Sequence, residues 1–271
     1  MILSELTNAV TALTREVGEY LKSMLGNLQE GHIQAKGQMD FVTEVDQESE
    51  RRLVTGLGLI LPGAGFIAEE GTSSFRGTRY NWIIDPLDGT TNFIHGASPF
   101  SISIALMDGN ELVIGVIHDP VADECFSAWQ GGPATLNGRE IRTSSRADVG
   151  SALVATGFPY TDFTYIDEYL ESLREMMEKT HGVRRLGSAA IDLAYVACGR
   201  YDAFYEYHLK PWDVAAGTVL IRQAGGRVCD FWGGDDFLFG ETYVATNGAA
   251  HDGFLALVKK HFPEKREPGR P

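Results

Sequence analysis

The chemistry this sequence can do is carried by carboxylates. Residues 82–93 read Trp-Ile-Ile-Asp-Pro-Leu-Asp-Gly-Thr-Thr-Asn-Phe, an apolar strand running into Asp85, with Asp88 three residues on. A carboxylate at the C-terminal end of a strand stands where sites form in α/β proteins. Pro86 fixes φ and is expected to hold a rigid turn, so that Asp85 and Asp88 face one volume. Two ionised carboxylates 4 Å apart repel by roughly 4 kcal/mol at an effective dielectric of 20, and a cation between them removes that repulsion. All-oxygen donors select a hard ion, Mg²⁺ ahead of Zn²⁺, and the Leu87 carbonyl could join the same shell. Directly afterwards, Gly89-Thr90-Thr91-Asn92 can open a short helix. Gly89 lets the backbone approach a ligand, the first amides offer an anion site, and the Thr90 hydroxyl could orient a water. Taken alone, the string serves equally as an ordinary turn followed by a helix cap.

Other acids fall in similar surroundings. Residues 66–71, Phe-Ile-Ala-Glu-Glu-Gly, form an apolar strand ending in Glu69 and Glu70, which read alone is also a solvated strand end. Asp213 opens a small-residue helix in Pro211-Trp-Asp-Val-Ala-Ala-Gly217, where capping and ligation are equally open. Asp40 and Asp46 flank a segment that reads as a turn and the cap of a second helix. Several other chemistries are excluded. The chain has no GxSxG elbow, no GxxxxGK[ST] phosphate loop, no HExxH and no strand-anchored GxGxxG. Its seven histidines form no close pair, which speaks against a histidine metal cage. Cys125, Cys198 and Cys229 are odd in number and far apart, which fits a reducing cytoplasm and no disulfide framework.

The elements that must position these groups follow from periodicity. Leu3, Leu6, Val10, Leu13, Val17, Leu21 and Leu25 make one apolar stripe on a first helix ending near Gly26 or Gly31. A second helix is expected from about Asp46 to Ile60, before Pro62. Apolar runs at 65–68, 82–84, 101–107, 112–118 and 124–129 read as strands, with Asp108-Gly109-Asn110 as a hairpin and Asn137-Gly138 as a turn. Beyond residue 150 the pattern predicts helices at 163–180, 188–198, 212–224 and 253–261, and strands at 202–206, 227–229 and 242–246. The most economical reading is two α/β halves, 1–150 and 151–271, as layers around one core in one compact unit.

The 271 residues carry a formal charge of −14, and 44% are hydrophobic, which rules out disorder. Five basic and two acidic residues from Lys259 to Pro271 leave that tail at +3 and residues 1–258 at −17. Such a body is expected to repel nucleic acid, and any phosphate chemistry must bring in its own cations. No apolar run approaches the roughly 18 residues of a membrane span.

In this order the strings resemble the inositol monophosphatase family, the Mg²⁺-dependent, lithium-sensitive sugar phosphatases. The resemblance rests on D40-x-V-T-x-x-D46, the I-A-E-E run ending at Glu70, W82-I-I-D-P-L-D-G-T-T-N-F93, G187-S-A-A190 and W212-D-V-A-A-G217, and covers nearly the whole chain. It implies an αβαβα sandwich, a homodimer and two or three Mg²⁺ ions per site. It further implies that Glu69, Asp85, Asp88, Asp213 and the Leu87 carbonyl bind metal, and that Thr90, held by Asp46, activates a water together with Glu69. The Gly89 and Thr90 amides would then hold the phosphate, with Asp88, Gly187, Ser188, Ala189, Glu206 and Asp213 meeting the polyol and Lys36 close by. The implied activity is hydrolysis of myo-inositol monophosphate or a similar polyol phosphate. Fructose-1,6-bisphosphatase and histidinol-phosphatase activities on the same scaffold remain open, with Arg184 and Arg185 as cations for a second phosphate. So does a regulatory, partner-binding role alongside the phosphatase. A carboxylate-pair glycosidase would leave the helix start at Gly89 without a use.

Overall fold

The computed structural model describes residues 2–27, 33–35 and 41–263. Two helices, α1 (Leu3–Met24) and α2 (Glu44–Ile60), flank a short antiparallel pair, β1 (Ile33–Ala35) and β2 (Phe41–Thr43). A seven-stranded sheet follows, in sequence order throughout: β3 (Gly65–Ala68), β4 (Tyr80–Asp88), β5 (Ser101–Asp108), β6 (Glu111–Asp119), β7 (Glu124–Trp129), β8 (Thr135–Leu136) and β9 (Arg139–Glu140). Only β3 and β4 run parallel; the rest is an antiparallel meander, with α3 (Thr90–Ile94) between β4 and β5. Gly109 at φ +62° makes the expected β5–β6 turn, and Asn137 and Gly138, both at positive φ, make the β8–β9 turn.

The remaining chain builds a five-stranded sheet from β10 (Leu153–Thr156), β11 (Gly182–Arg184), β12 (Ala203–Tyr207), β13 (Arg227–Cys229) and β14 (Thr242–Thr246). Its order is β11-β10-β12-β14-β13. Helices α4 (Ile166–Lys179), α5 (Ala189–Ala197), α6 (Pro211–Gln223) and α7 (His251–His261) complete the fold.

Burial explains the layering. Trp82 and Ile84 of β4 pack with α1 and α2, whereas Ile83 between them packs with α5 and α6 on the opposite face. The smaller sheet behaves likewise: Phe204 faces α5 and α6, and Ala203 and Tyr205 face α4 and α7. Both sheets are therefore covered on both faces, giving the αβαβα sandwich that the resemblance implies, with three buried clusters among the described residues. A strand buried on both sides is apolar throughout, so its pattern cannot show that two layers lie behind it. Helix α4 starts three residues later than expected, because the Phe163 carbonyl accepts the Ile166 amide in a turn ahead of the helix. No helix among the described residues is long and apolar enough to cross a membrane.

Helix α6 sits between the sheets and touches both through small residues. A Cβ on Gly115 of β6 would lie 2.4 Å from the Ala216 carbonyl oxygen. That approach leaves no room for a methyl group, so Gly115→Ala should destabilise the protein by about 1–3 kcal/mol through overpacking. The shift of the denaturant midpoint at unchanged m-value measures it.

Candidate active site

A cleft of about 360 Å³ opens where β4, β12 and the starts of α3, α5 and α6 converge. Its floor is set by an irregularity in β4. The strand runs on through Asp85 to Asp88, and what the sequence suggested as a turn is a bulged strand: Asp85 pairs with Ser103 and Asp88 with Ser101, three steps against two. Side chains alternate along a strand, so residues three apart would face opposite sides of a regular one. The extra residue cancels that alternation, and both carboxylates line the same cleft.

Each aspartate is anchored through one oxygen. Asp85 Oδ1 accepts the Leu87 amide at 2.9 Å. Asp88 Oδ2 accepts the Ser188 hydroxyl at 2.6 Å and the Ala190 amide at 2.8 Å. Asp213 Oδ2 accepts the Lys210 amide at 2.6 Å. Lys210 holds the N-cap of α6 with Pro211 after it, so Asp213 stands at the third helical position and not at the cap considered from the sequence. Ser188 caps α5, which carries Ala189 and Ala190 to Asp88. Glu69 follows β3 into the same cleft, its amide donating to the Ile84 carbonyl at 3.2 Å.

The Thr90 hydroxyl lies 3.0 Å from the Leu87 carbonyl and 3.2 Å from Asp46 Oδ1. Helix α2 begins at Glu44, which puts Asp46, 1% exposed, inside its first turn. Gly89 has φ +95°, and a Cβ there would sit 3.2 Å from the carbonyls of Pro99 and Gly187. Asn92 ties α3 across the cleft, donating to the Pro99 and Leu186 carbonyls at 2.7 and 2.9 Å. Gly187, Ser188, Ala189 and Glu206 line the opposite wall. Lys36 and Asp40 lie outside the described residues. Of the two arginines singled out, Arg185 lines the cleft, its guanidinium 5.3 Å from the Phe158 ring centroid, and Arg184 points out to solvent.

Electrostatics follow from this crowding. Burial first, then Glu69, Asp88 and Asp213, push Asp85 well above the usual carboxylate range. Burial and then Asp88 do the same to Asp213. Asp88 is raised by burial, against the Ser188 and Ala190 hydrogen bonds that hold it down. Glu206 is pushed up to about 8, chiefly by burial, with Arg185 opposing. Six carboxylates line the cleft, counting Asp192, against one arginine, one lysine and one histidine. Such a donor set fits a hard divalent cation: it is all oxygen, its aspartates are oriented by fixed amides, and it has little internal counter-charge.

Two contributors escape a linear reading. Glu50 is fully buried in α2, and its carboxylate accepts the amides of Glu70 and Thr72 and the Thr72 hydroxyl, each at 2.7 Å, holding the loop that carries Glu69. Gly157 matters by having no side chain: a Cβ there would fall 2.0 Å from Glu206 Oε1. Neither belongs to a motif, and only the tertiary approach gives them a role.

The five layers and the acidic cleft between the two sheets are the scaffold of a phosphatase. The family model "Inositol monophosphatase family" matches residues 2–262, and the chain belongs to that family. It is 41% identical over 266 residues to the Nus factor SuhB of Pseudomonas aeruginosa, covering 96% of this chain and 98% of that protein. It is 40% identical over 261 residues to the inositol-1-monophosphatase of Mesorhizobium japonicum, with the same coverages. Among solved structures it resembles the extragenic suppressor protein suhB of Bartonella henselae, with a TM-score of 0.89 at 38% identity over 94% of this chain and 99% of that one.

Two outcomes follow from the site as built. Glu50→Gln keeps one oxygen for the two Thr72 donors but sets an NH₂ against the Glu70 amide, which should cost about 1–3 kcal/mol of stability and lower turnover, read by denaturation and phosphate release. Glu206 keeps a proton in the folded state up to about pH 8, whereas in the unfolded chain it loses it near the ordinary glutamate value of about 4.3. Unfolding therefore releases a proton between those values, and the stability of the wild type should fall relative to Glu206→Gln from pH 5 to 8 and then level off. Melting temperatures of both proteins across that range measure it.

Proposed function

We propose that the chain hydrolyses the phosphomonoester of a polyol, myo-inositol monophosphate or a close analogue, with two or three Mg²⁺ ions held by Glu69, Asp85, Asp88, Asp213 and the Leu87 carbonyl. The observation that carries this reading is the convergence of those four carboxylates on one cleft that has too little positive charge of its own. Bound magnesium would supply the charge that admits a phosphate, stabilise the oxygens on which charge develops and make water more acidic.

The chain's own residues do the rest. Asp46 and the Leu87 carbonyl fix the Thr90 hydroxyl as a donor, so its oxygen is left to accept from the attacking water and aim it at phosphorus. Glu69 takes up the proton that this water loses. The Gly89 and Thr90 amides bind phosphate oxygens, and the positive φ of Gly89 turns the chain so that both amides stand at the start of α3. Glu206, Asp88, Asp213 and the Gly187–Ala189 backbone meet the polyol hydroxyls. No covalent phosphoenzyme is needed, in keeping with the absence of any nucleophile motif. A homodimer belongs to the same proposal, supported by the resemblance of the motifs.

A second reading, a partner-binding role alongside hydrolysis, is favoured by the Pseudomonas relative named Nus factor. Net charge speaks for a protein partner over RNA, and capture that survives both ribonuclease treatment and Asp85→Asn supports it.

Asp85→Asn and Asp88→Asn should each lower phosphate release by at least about 100-fold while circular dichroism stays unchanged. The assay spans inositol phosphates, fructose 1,6-bisphosphate, histidinol phosphate and nucleotides, with Mg²⁺ and with EDTA. Full activity of either variant in EDTA contradicts the proposal.

A further inference from the structure

The mouth of the cleft carries a second set of donors, separate from the four-carboxylate cluster. Asp162 precedes α4, His208 follows β12 and Glu241 precedes β14, and one donor atom from each lies within 4.8 Å of the others. His208 Nδ1 stands 3.5 Å from Asp162 Oδ2 and 3.5 Å from Glu241 Oε2. That is beyond the roughly 2.7–3.2 Å of an N–H···O bond, and the nitrogen is buried without a hydrogen-bond partner. Ligands held at roughly 2.0–2.2 Å around a tetrahedral ion, in contrast, stand about 3.3–3.6 Å from one another.

The surrounding contacts aim these atoms inward. The other ring nitrogen, Nε2, meets the Thr161 hydroxyl at 3.1 Å, which fixes the plane of the imidazole. Asp162 Oδ1 accepts the Thr164 amide at 2.8 Å, and Glu241 Oε1 accepts the Lys210 ammonium, so it is Oδ2 and Oε2 that face the ring. The His208 amide donates to the Glu241 carbonyl at 2.6 Å, tying the two backbones together behind the side chains. A metal ligand whose remaining polar atoms are held by other groups is oriented before the ion arrives.

We propose that Asp162, His208 and Glu241 form a binding site for a zinc-class divalent ion, with water as the fourth ligand, that clips the chain segment ahead of α4 to the ends of β12 and β14. One imidazole and two carboxylates suit zinc better than magnesium, whose preference is for oxygen alone. Two carboxylates balance the charge of the ion, and Lys210 stays on the far oxygen of Glu241. The trio shares none of the four proposed magnesium ligands, although His208 lines the same cleft, and its occupancy does not depend on which phosphate is hydrolysed.

The test is equilibrium dialysis of the full chain against micromolar zinc with magnesium in large excess, with cobalt as an optical probe. Wild type and Asp85→Asn should each retain one zinc per chain and give the strong visible absorption of four-coordinate cobalt. Outer partners of metal ligands are worth roughly 10–100-fold in affinity, so loss of a ligand in His208→Ala should weaken zinc binding by at least about 10-fold. The cobalt band should vanish with it, at an unchanged melting temperature in the absence of zinc. If His208→Ala does not fold, Asp162→Asn carries the same expectation. Zinc affinity unchanged in the folded variant, or no zinc retained by wild type, overturns the proposal and leaves the trio an ion pair only.

Discussion

Mutual repulsion among carboxylates is the constraint on which the rest of this structure depends. Asp85, Asp88 and Asp213 are enclosed together, and the first and last are pushed up by lost hydration and then by neighbouring carboxylates, Glu69 and Asp88 among them. Charges so placed stay apart from an opposite charge only at a cost, and the cleft holds one arginine and one lysine to offset six acids. The backbone amides of Leu87, Ala190 and Lys210 hold the aspartates in place without neutralising them. An arrangement of this kind is made for a cation from outside. It also reverses the first implication of the net charge: an acidic chain is poorly suited to phosphate until those acids bind metal.

The fold serves that constraint by bringing distant segments together at strand and helix ends. Helix α6 lies between two sheets because its small residues permit close approach: Gly115 of β6 packs on the Ala216 carbonyl, and Gly217 makes room for Leu193 of α5. Its position delivers Asp213 to the cleft, while the bulge in β4 delivers Asp85 and Asp88. Helix α5, capped by Ser188, contributes the donors that orient Asp88, so the cap of one helix doubles as support for a carboxylate on another element.

Much of this was legible in the sequence where the signal is local. Asp85 and Asp88 sit in one string, and the strands from Gly65 to Trp129 announce themselves as apolar runs closed by turns. The helices from Ser188 and Pro211 carry their own start signals. What was not legible depends on approach in three dimensions. Thr90 and Asp46 are 44 positions apart, and their hydrogen bond has no local signature: only the family resemblance paired them. The bulge was read as a proline turn because Pro86 suits both. Strands β10 and β11 are too short and too unpatterned to stand out, and the second buried layer is hidden because strands covered on both faces lose their alternation. Glu50, Gly157 and the Asp162–His208–Glu241 trio look like ordinary surface or loop residues until the chain folds.

The account is tested most directly by the melting temperature of wild type and Asp213→Asn, each with and without saturating Mg²⁺. Asparagine keeps the oxygen that accepts the Lys210 amide but removes one of the repelling charges. The account predicts that the metal-free variant is at least as stable as the metal-free wild type, and that magnesium raises the wild type while leaving the variant nearly unmoved. Saturation at about 100 times Kd would stabilise the wild type by about 2.7 kcal/mol. A metal-free variant markedly less stable than wild type, with the same magnesium-dependent rise in both, would contradict it.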